Sequence, residues 1–385
     1  MTNTWWKDVD ELAKEQVDVL EIPTDESVLI QGPPGSGKTN LLLLRANQLY
    51  LGDRPNLHVV VFGSLLKQFI QIGGQQYKFP SEKIVTHTRL FSDILRAEGA
   101  DFDDTGMKLD AARAERARRL GELVKAGKVG AQFDALLLDE AQDYTPEEIR
   151  LLRGLTDVLI ATADSRQKIY NVEDCSKVLK SCVDRTHTLK YHFRNGLDIC
   201  RLADGLHKRS PNYVPLLQHS NYNEKDYPSK VFPPRDGLSV ADQASAIATQ
   251  INDQRFAYPD DLIGVLCPRN EELDLITTGL TAAGLGSLIT RANNSKEFNP
   301  GRPIWLSTLA AAKGLEFRAV HMAGLDHLSK TGSAQRRLTY TGITRAKTAL
   351  TLYWQEAIPG YLDSALLDVS PARKPVTKQS IFGKP

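Results

Sequence analysis

What this sequence lacks narrows its reading first. No apolar run reaches the about 18 residues that a membrane-spanning helix requires, so no membrane partner is expected. Cysteine is scarce: four residues, at positions 175, 182, 200 and 267, with no C-x-x-C pair. A disulfide framework is therefore not expected, and a reducing cytoplasm is the natural compartment. Cys182, His187, His192 and Cys200 lie near one another in the chain, yet their spacing fits no common zinc pattern, and scattered thiols are the simpler reading. An excess of one charge is missing too. The formal net charge is +1, so no global field draws in a polyanion, and any acidic ligand must be met by local groups. Met1 to Glu21 carries acids among its apolar residues, which does not suit a signal peptide.

What is present is the composition of a globular protein, 41% hydrophobic and 25% charged, over 385 residues, enough for two domains with a core each. Short Val/Ile/Leu-rich runs alternate with longer helical patterns. The candidate strands are Ser27–Gln31, His58–Phe62, Lys83–Thr86, Ala135–Leu138 and Val158–Ala161, then Leu262–Leu266, Ser287–Thr290, Ile304–Ser307, Ala319–Met322 and Ala349–Tyr353. That rhythm predicts an α/β fold of parallel sheets covered by helices on both faces. A polar stretch, Ser210 to Asp236, separates the two series. Between the third and fourth strands, Leu109 to Lys125 reads as a helix with Leu109, Ala112, Ala117, Leu120, Leu123 and Val124 on one side. Arg113 and Arg116 fall near that stripe and are expected to reach outward. With Arg118 and Arg119 they could touch phosphates or, more simply, form a solvated ion-paired surface. From Ser370 onward the chain is basic, proline-containing and free of acids, which predicts a disordered tail over 371–385.

Two motifs carry chemistry. Residues 32–39 read GPPGSGKT between a strand and a helical pattern. Gly32, Gly35, Ser36 and Gly37 let backbone N–H groups close around phosphate oxygens. Lys38 supplies a cation for the β- and γ-phosphates, and Thr39 a hydroxyl for Mg²⁺. About one hundred residues later ALLLDEAQD ends a strand on Asp139 and Glu140, where α/β sheets bind ligands. Asp139 is expected to hold Mg²⁺ and Glu140 to activate the attacking water, which makes the site one for ATP hydrolysis.

DEAQD, taken with later segments, resembles the superfamily 1 helicases of the UvrD, Rep and PcrA type. The resemblance implies two RecA-like P-loop NTPase domains with ATP in the cleft between them. On the sequence these run over 1–186 and 187–370. It implies that Gln16 reads adenine and that Gln167, in ADSRQKIY, senses the γ-phosphate. In KYHFRN (190–195), Phe193 stacks on adenine and Arg194 is an arginine finger. In LSTLAAAKGLEF (306–317), Gly314 and Glu316 lie against the nucleotide, with Glu316 on the ribose. In RRLTYTGITRAK (336–347), Arg345 is the second finger. Fingers on the second domain would make hydrolysis depend on domain closure, and reopening would then be a motor stroke.

The same resemblance assigns Phe62 to a base and Thr86 and Thr308 to the nucleic-acid backbone, although an aromatic at a strand end is ordinarily core. Two departures weaken that side. NVEDC (171–175) stands where the family carries tryptophan and arginine, and Ala310 stands where it carries histidine. Few residues are left for accessory subdomains or, after Arg345, for a fused nuclease domain. The leading expectation is an ATP-dependent single-strand translocase or helicase, 3′ to 5′, on single-stranded DNA. These contacts do not exclude RNA. The alternative is a regulatory or motor ATPase subunit acting with a partner protein such as a separately encoded nuclease. A third is the related branch that moves 5′ to 3′.

Overall fold

The computed structural model describes residues 9–63, 66–68, 70, 77–169, 173–208, 210, 213–291, 299, 301–328 and 332–369. The basic tail over 371–385, and Asn171 and Val172 of the NVEDC segment, lie outside the described residues. Two six-stranded parallel sheets organise the rest.

The first sheet is built from β1 (Val28–Gln31), β2 (Leu57–Val61), β3 (Ile84–Thr86), β4 (Phe133–Leu138), β5 (Thr156–Ala163) and β6 (Arg185–Thr188), in the order β3-β2-β4-β5-β1-β6. Helices α1 (Lys14–Leu20), α2 (Lys38–Leu51), α3 (His87–Ala97), α4 (Leu109–Lys125), α5 (Pro146–Gly154) and α6 (Ser176–Ser181) accompany it. Its central strands are apolar at most positions because both faces are covered. In β4, Ala135 and Leu137 enter one core cluster and Leu136 and Leu138 the other, as the two-residue period of a strand requires.

The second sheet runs β7-β12-β11-β8-β10-β9. Its strands are β7 (Lys230–Val231), β8 (Ile263–Cys267), β9 (Ile289–Arg291), β10 (Ile304–Thr308), β11 (Phe317–Met322) and β12 (Ala346–Leu352). Helices α7 (Leu197–Gly205), α8 (Val240–Ala257), α9 (Asn270–Leu280), α10 (Ser333–Ile343) and α11 (Gly360–Val369) belong to this half. Among the described residues no helix is long and apolar enough to cross a membrane.

Two sequence expectations need correction. Strand β6 pairs with β1 through Thr188, so the crossing between sheets falls after Thr188 and not at Thr186. Its residues RTHT are polar because it is an edge strand and largely exposed. The helix over 109–125 forms at those bounds, but Leu109 is 85% exposed at its first turn. Arg113 and Arg116 do not reach outward. Arg113 forms a bidentate pair with Glu148, at 2.6 and 2.5 Å, and donates to the Asp143 carbonyl at 2.9 Å. Arg116 pairs with Asp104 and donates to the Ser92 hydroxyl at 3.0 Å. Arg118 and Arg119 meet Glu115 at 2.7 Å on the surface.

Candidate active site

The turn after β1 builds the first wall. Gly35 and Gly37 adopt φ of 73° and 85°, left-handed conformations that favour glycine. A Cβ on Gly35 would press on Arg194 Cβ, so Gly35 has no room for a side chain, while one on Gly37 would meet the Gln16 side-chain amide. Helix α2 starts at Lys38, whose ammonium donates to the carbonyls of Gly32 and Pro33, at 2.9 Å each. Burial pushes its pKa down, against the pull of Asp164, Glu140 and Asp139. Gln16 is held between α1 and the turn, accepting from Ala13 N–H and donating to the Ser36 carbonyl, both at 2.9 Å.

The end of β4 builds the second wall. The Thr39 hydroxyl donates to Asp139 at 2.9 Å and the Thr162 hydroxyl to its other oxygen at 2.6 Å, which fixes the carboxylate beside the loop. Glu140 has φ 51°, the sole non-glycine residue with positive φ among the described residues. Such strain costs about 1–3 kcal/mol and persists only where surrounding contacts impose it. Here Gln142 donates to the Glu140 carboxylate, and Lys313 sits 3.5 Å away. Desolvation raises the pKa of both buried carboxylates. Asp139 stays raised, with repulsion from Glu140 adding to burial. For Glu140 the pull of Lys313, Lys38 and Arg345 outweighs burial and leaves it lowered.

The third wall comes from the second half of the chain. Segment 189–196 leaves β6 and crosses the loop, with Phe193 N–H donating to the Gly35 carbonyl at 3.0 Å. Asn195 donates to the carbonyls of Thr344 and Ala346, at 3.0 and 2.6 Å, tying this segment to the start of β12. Arg194 pairs with Glu316. Arg345 is 1% exposed and donates to the carbonyls of Thr341 and Leu315, at 3.0 and 2.9 Å, and to the side-chain oxygen of Gln167. Burial, with Arg194 nearby, pushes its pKa down to about 9.

A cavity of about 150 Å³ opens where the three walls meet. Of the residues singled out in the sequence, Gln16, Gly35, Gly37, Lys38, Thr39, Glu140, Gln167, Phe193, Arg194, Gly314, Glu316 and Arg345 line it. Gly32, Ser36 and Asp139 stand behind that lining: Gly32 faces a second cavity, Ser36 is buried, and Asp139 is reached through Thr39. Four lining side chains are cationic and two are carboxylates, which suits a polyphosphate. The oxygen donors Thr39 and Asp139 are of the kind that hold Mg²⁺.

Sequence reading missed several members. Lys347 lines the cavity, 3.6 Å from Glu316. Lys313 reaches from the second half into the first, donating to Asp143 at 2.5 Å and to the Gln167 carbonyl at 2.7 Å. Asp164 joins Gln167 and Arg166, at 3.0 Å each. The motif strings contained all of these residues, but only the fold reveals what they touch.

The residues assigned to nucleic acid each have local partners. Phe62 stacks on His87, with ring centroids 5.0 Å apart, under the Arg113 guanidinium. Thr86 caps α3 by accepting from Arg89 N–H at 3.3 Å, and Thr308 accepts from Ala311 N–H at 3.2 Å. Of the scattered Cys and His residues, Cys200 Sγ lies 3.8 Å from His192, while His187 bonds the Glu15 carbonyl at 3.0 Å. Among the described residues no group of His, Cys, Asp and Glu is arranged to hold a metal ion.

Comparison with known proteins gives the following. No curated protein matches. The C-terminal domain of a possible DNA helicase from Lactobacillus plantarum WCFS1 is 21% identical over 45% of this chain and 93% of its own, with a TM-score of 0.32. The PRRSV helicase is 16% identical over 88% of this chain, with a TM-score of 0.42, and the match spans about half (54%) of its length. Residues 303–353 match the family described as UvrD-like helicase C-terminal domain. That stretch holds Lys313, Glu316, Arg345 and Lys347, so the similarity falls on the part of the second half that lines the cavity.

Proposed function

We propose that this protein is an ATP-dependent motor that moves along single-stranded nucleic acid, with hydrolysis in the cleft between two RecA-like domains, residues 9–188 and 189–369. One observation carries the reading. Lys38, Thr39 and Glu140 of the first domain and Arg194 and Arg345 of the second line one cavity, so neither domain holds the set alone. Glu140 would orient and deprotonate the attacking water. Thr39 and Asp139 would hold Mg²⁺, which when bound neutralises charge on the β- and γ-phosphates. Lys38, which donates to the Gly32 and Pro33 carbonyls, would exchange them for phosphate oxygens. Arg345 would exchange the Gln167 amide, and Arg194 the Glu316 carboxylate, for the charge that builds on the γ-phosphoryl group. Gln167 touches both Arg345 and, through its carbonyl, Lys313, which suits a sensor of that exchange.

Single-stranded DNA is the proposed track and 3′ to 5′ the proposed direction, in a compact form without large accessory subdomains. A second reading, a regulatory or motor ATPase that unwinds poorly without a partner protein, draws support from Phe62. Its ring is already engaged by His87 and Arg113. The test is ATP turnover with and without single-stranded DNA or RNA, beside Lys38→Ala and Glu140→Gln. Turnover stimulated by polynucleotide and abolished in both variants is expected. No turnover in wild type overturns the ATPase, and turnover indifferent to every polynucleotide overturns the motor. Duplexes with a 3′ or a 5′ tail then read direction, and strand separation only after a partner is added favours the second reading.

A further inference from the structure

Three cations of the second domain face the cleft, and the proposed chemistry uses two. Arg194 and Arg345 are the proposed fingers, and Lys347 has no part in it. Lys347 is the second residue of β12, two positions after Arg345, and both line the cavity. Its side chain is 15% exposed, and its ammonium lies 3.6 Å from one oxygen of Glu316, while Arg194 holds the other. The Lys347 carbonyl accepts from Gly196 N–H at 2.9 Å, so the strand carrying Lys347 is fixed to the segment carrying Arg194.

We propose that Lys347 is a positioning residue that keeps Glu316 neutralised while Arg194 transfers to the γ-phosphate. This rests on the ATPase reading of the same cleft. A finger that starts on a carboxylate must leave it, and a buried carboxylate stripped of its cation is costly, so the finger would be held back. With Lys347 on its other oxygen, Glu316 retains a counter-charge throughout. Both cations hold the Glu316 carboxyl down against a burial effect that would raise it. Ionised, Glu316 remains an acceptor for a hydroxyl of the bound nucleotide. The residue therefore acts on kcat through Arg194 and on KM through Glu316, without touching the reacting atoms.

The proposal makes Lys347 matter only while position 316 is charged, which a double-mutant cycle reads directly. ATP turnover is measured for wild type, Lys347→Met, Glu316→Gln and the double variant, with thermal melts as the check on folding. Lys347→Met is expected to lower kcat on the order of tenfold in the wild-type background and to change it little in Glu316→Gln. Lys347→Arg should restore most of the loss. Lys347→Gln provides the same comparison if the methionine variant melts early. An equal loss in both backgrounds overturns the proposal, since a lysine on phosphate or a merely structural lysine would behave that way. A wild type without turnover overturns the ATPase reading as well, so the two failures are distinguishable.

Discussion

The cleft and the residues proposed to meet nucleic acid treat their polar and aromatic groups in opposite ways. In the cleft, side chains from both halves of the chain line one cavity, and several rest on contacts that an anion could replace: Lys38 on two carbonyls, Arg345 on an amide oxygen. By contrast, Phe62, Thr86 and Thr308 each perform a local task within their own half, as a stacking partner and two turn caps. Convergence under electrostatic tension marks a site built for a ligand, whereas satisfied local roles mark residues whose neighbours already explain them. The comparison predicts that substitutions in the cleft disable chemistry, while those at Phe62, Thr86 and Thr308 change stability first.

The largest effect should follow from Arg345→Ala. An arginine on a developing phosphoryl charge is worth roughly 10³–10⁵ in rate, and Arg345 is buried at the cavity. Steady-state ATP turnover should fall by that order, whereas Thr308→Ala should leave basal turnover within a few-fold. Similar losses from both would erase the contrast between the two regions.

The next effect concerns the path between them. Glu148 is 1% exposed and serves twice, as the bidentate partner of Arg113 and as a cap accepting from Thr145 N–H at 2.8 Å. Arg113→Ala would leave that carboxylate buried without its cation, a loss of about 3–5 kcal/mol. Urea unfolding reads it. A loss under about 1 kcal/mol would show that water, not Arg113, satisfies Glu148.

A third test uses pH. Burial raises the Asp143 carboxyl from 3.8 to about 6, against the pull of Lys313. A raised folded-state value means that the native protein holds this proton more tightly. Its contribution to stability is therefore full below about pH 4 and lost as pH rises through about 6. The buried His87 runs oppositely, its value lowered to about 4 chiefly by burial, so total stability would hide the effect. The informative quantity is the difference between wild type and Asp143→Asn, expected to shift by roughly 2–3 kcal/mol between pH 4 and pH 7. A pH-independent difference would show that Lys313 keeps Asp143 ionised throughout.

How much of this could be read from sequence follows from the range of the interactions. The loop over 32–39 and the carboxylates at 139–140 are legible because a phosphate cradle and a strand-end acid pair are each built from consecutive residues. The parallel sheets are legible because doubly covered strands must be apolar throughout. The edge strand β6 is not, since RTHT satisfies no such rule. Arg113 and Glu148 lie 35 positions apart, and Lys313 and Asp143 lie 170 apart. No local pattern links such partners, so a helical stripe containing arginines reads as solvated until the fold supplies the acid. Leu109 errs the other way: the stripe places it inward, but the first turn of α4 projects beyond what it could cover.

The smaller predictions decide whether Phe62 and Thr86 grip a strand at all. Phe62→Ala removes a ring that stacks on His87, and base stacking on such an aromatic is worth ~1–3 kcal/mol per base. Anisotropy with labelled single-stranded DNA should weaken by up to that amount if the ring can also meet a base, and stay unchanged if its role is internal. Thr86→Ala isolates the same question at lower cost to the fold. Losing an N-cap costs about 1 kcal/mol of stability, and replacement by serine, which caps as well, should restore it. Strand affinity that tracks stability across Thr86→Ala and Thr86→Ser would leave Thr86 a cap alone. Affinity lost in alanine beyond what stability explains, and regained in serine, would make its hydroxyl a contact to the backbone and bring the two regions back into one machine.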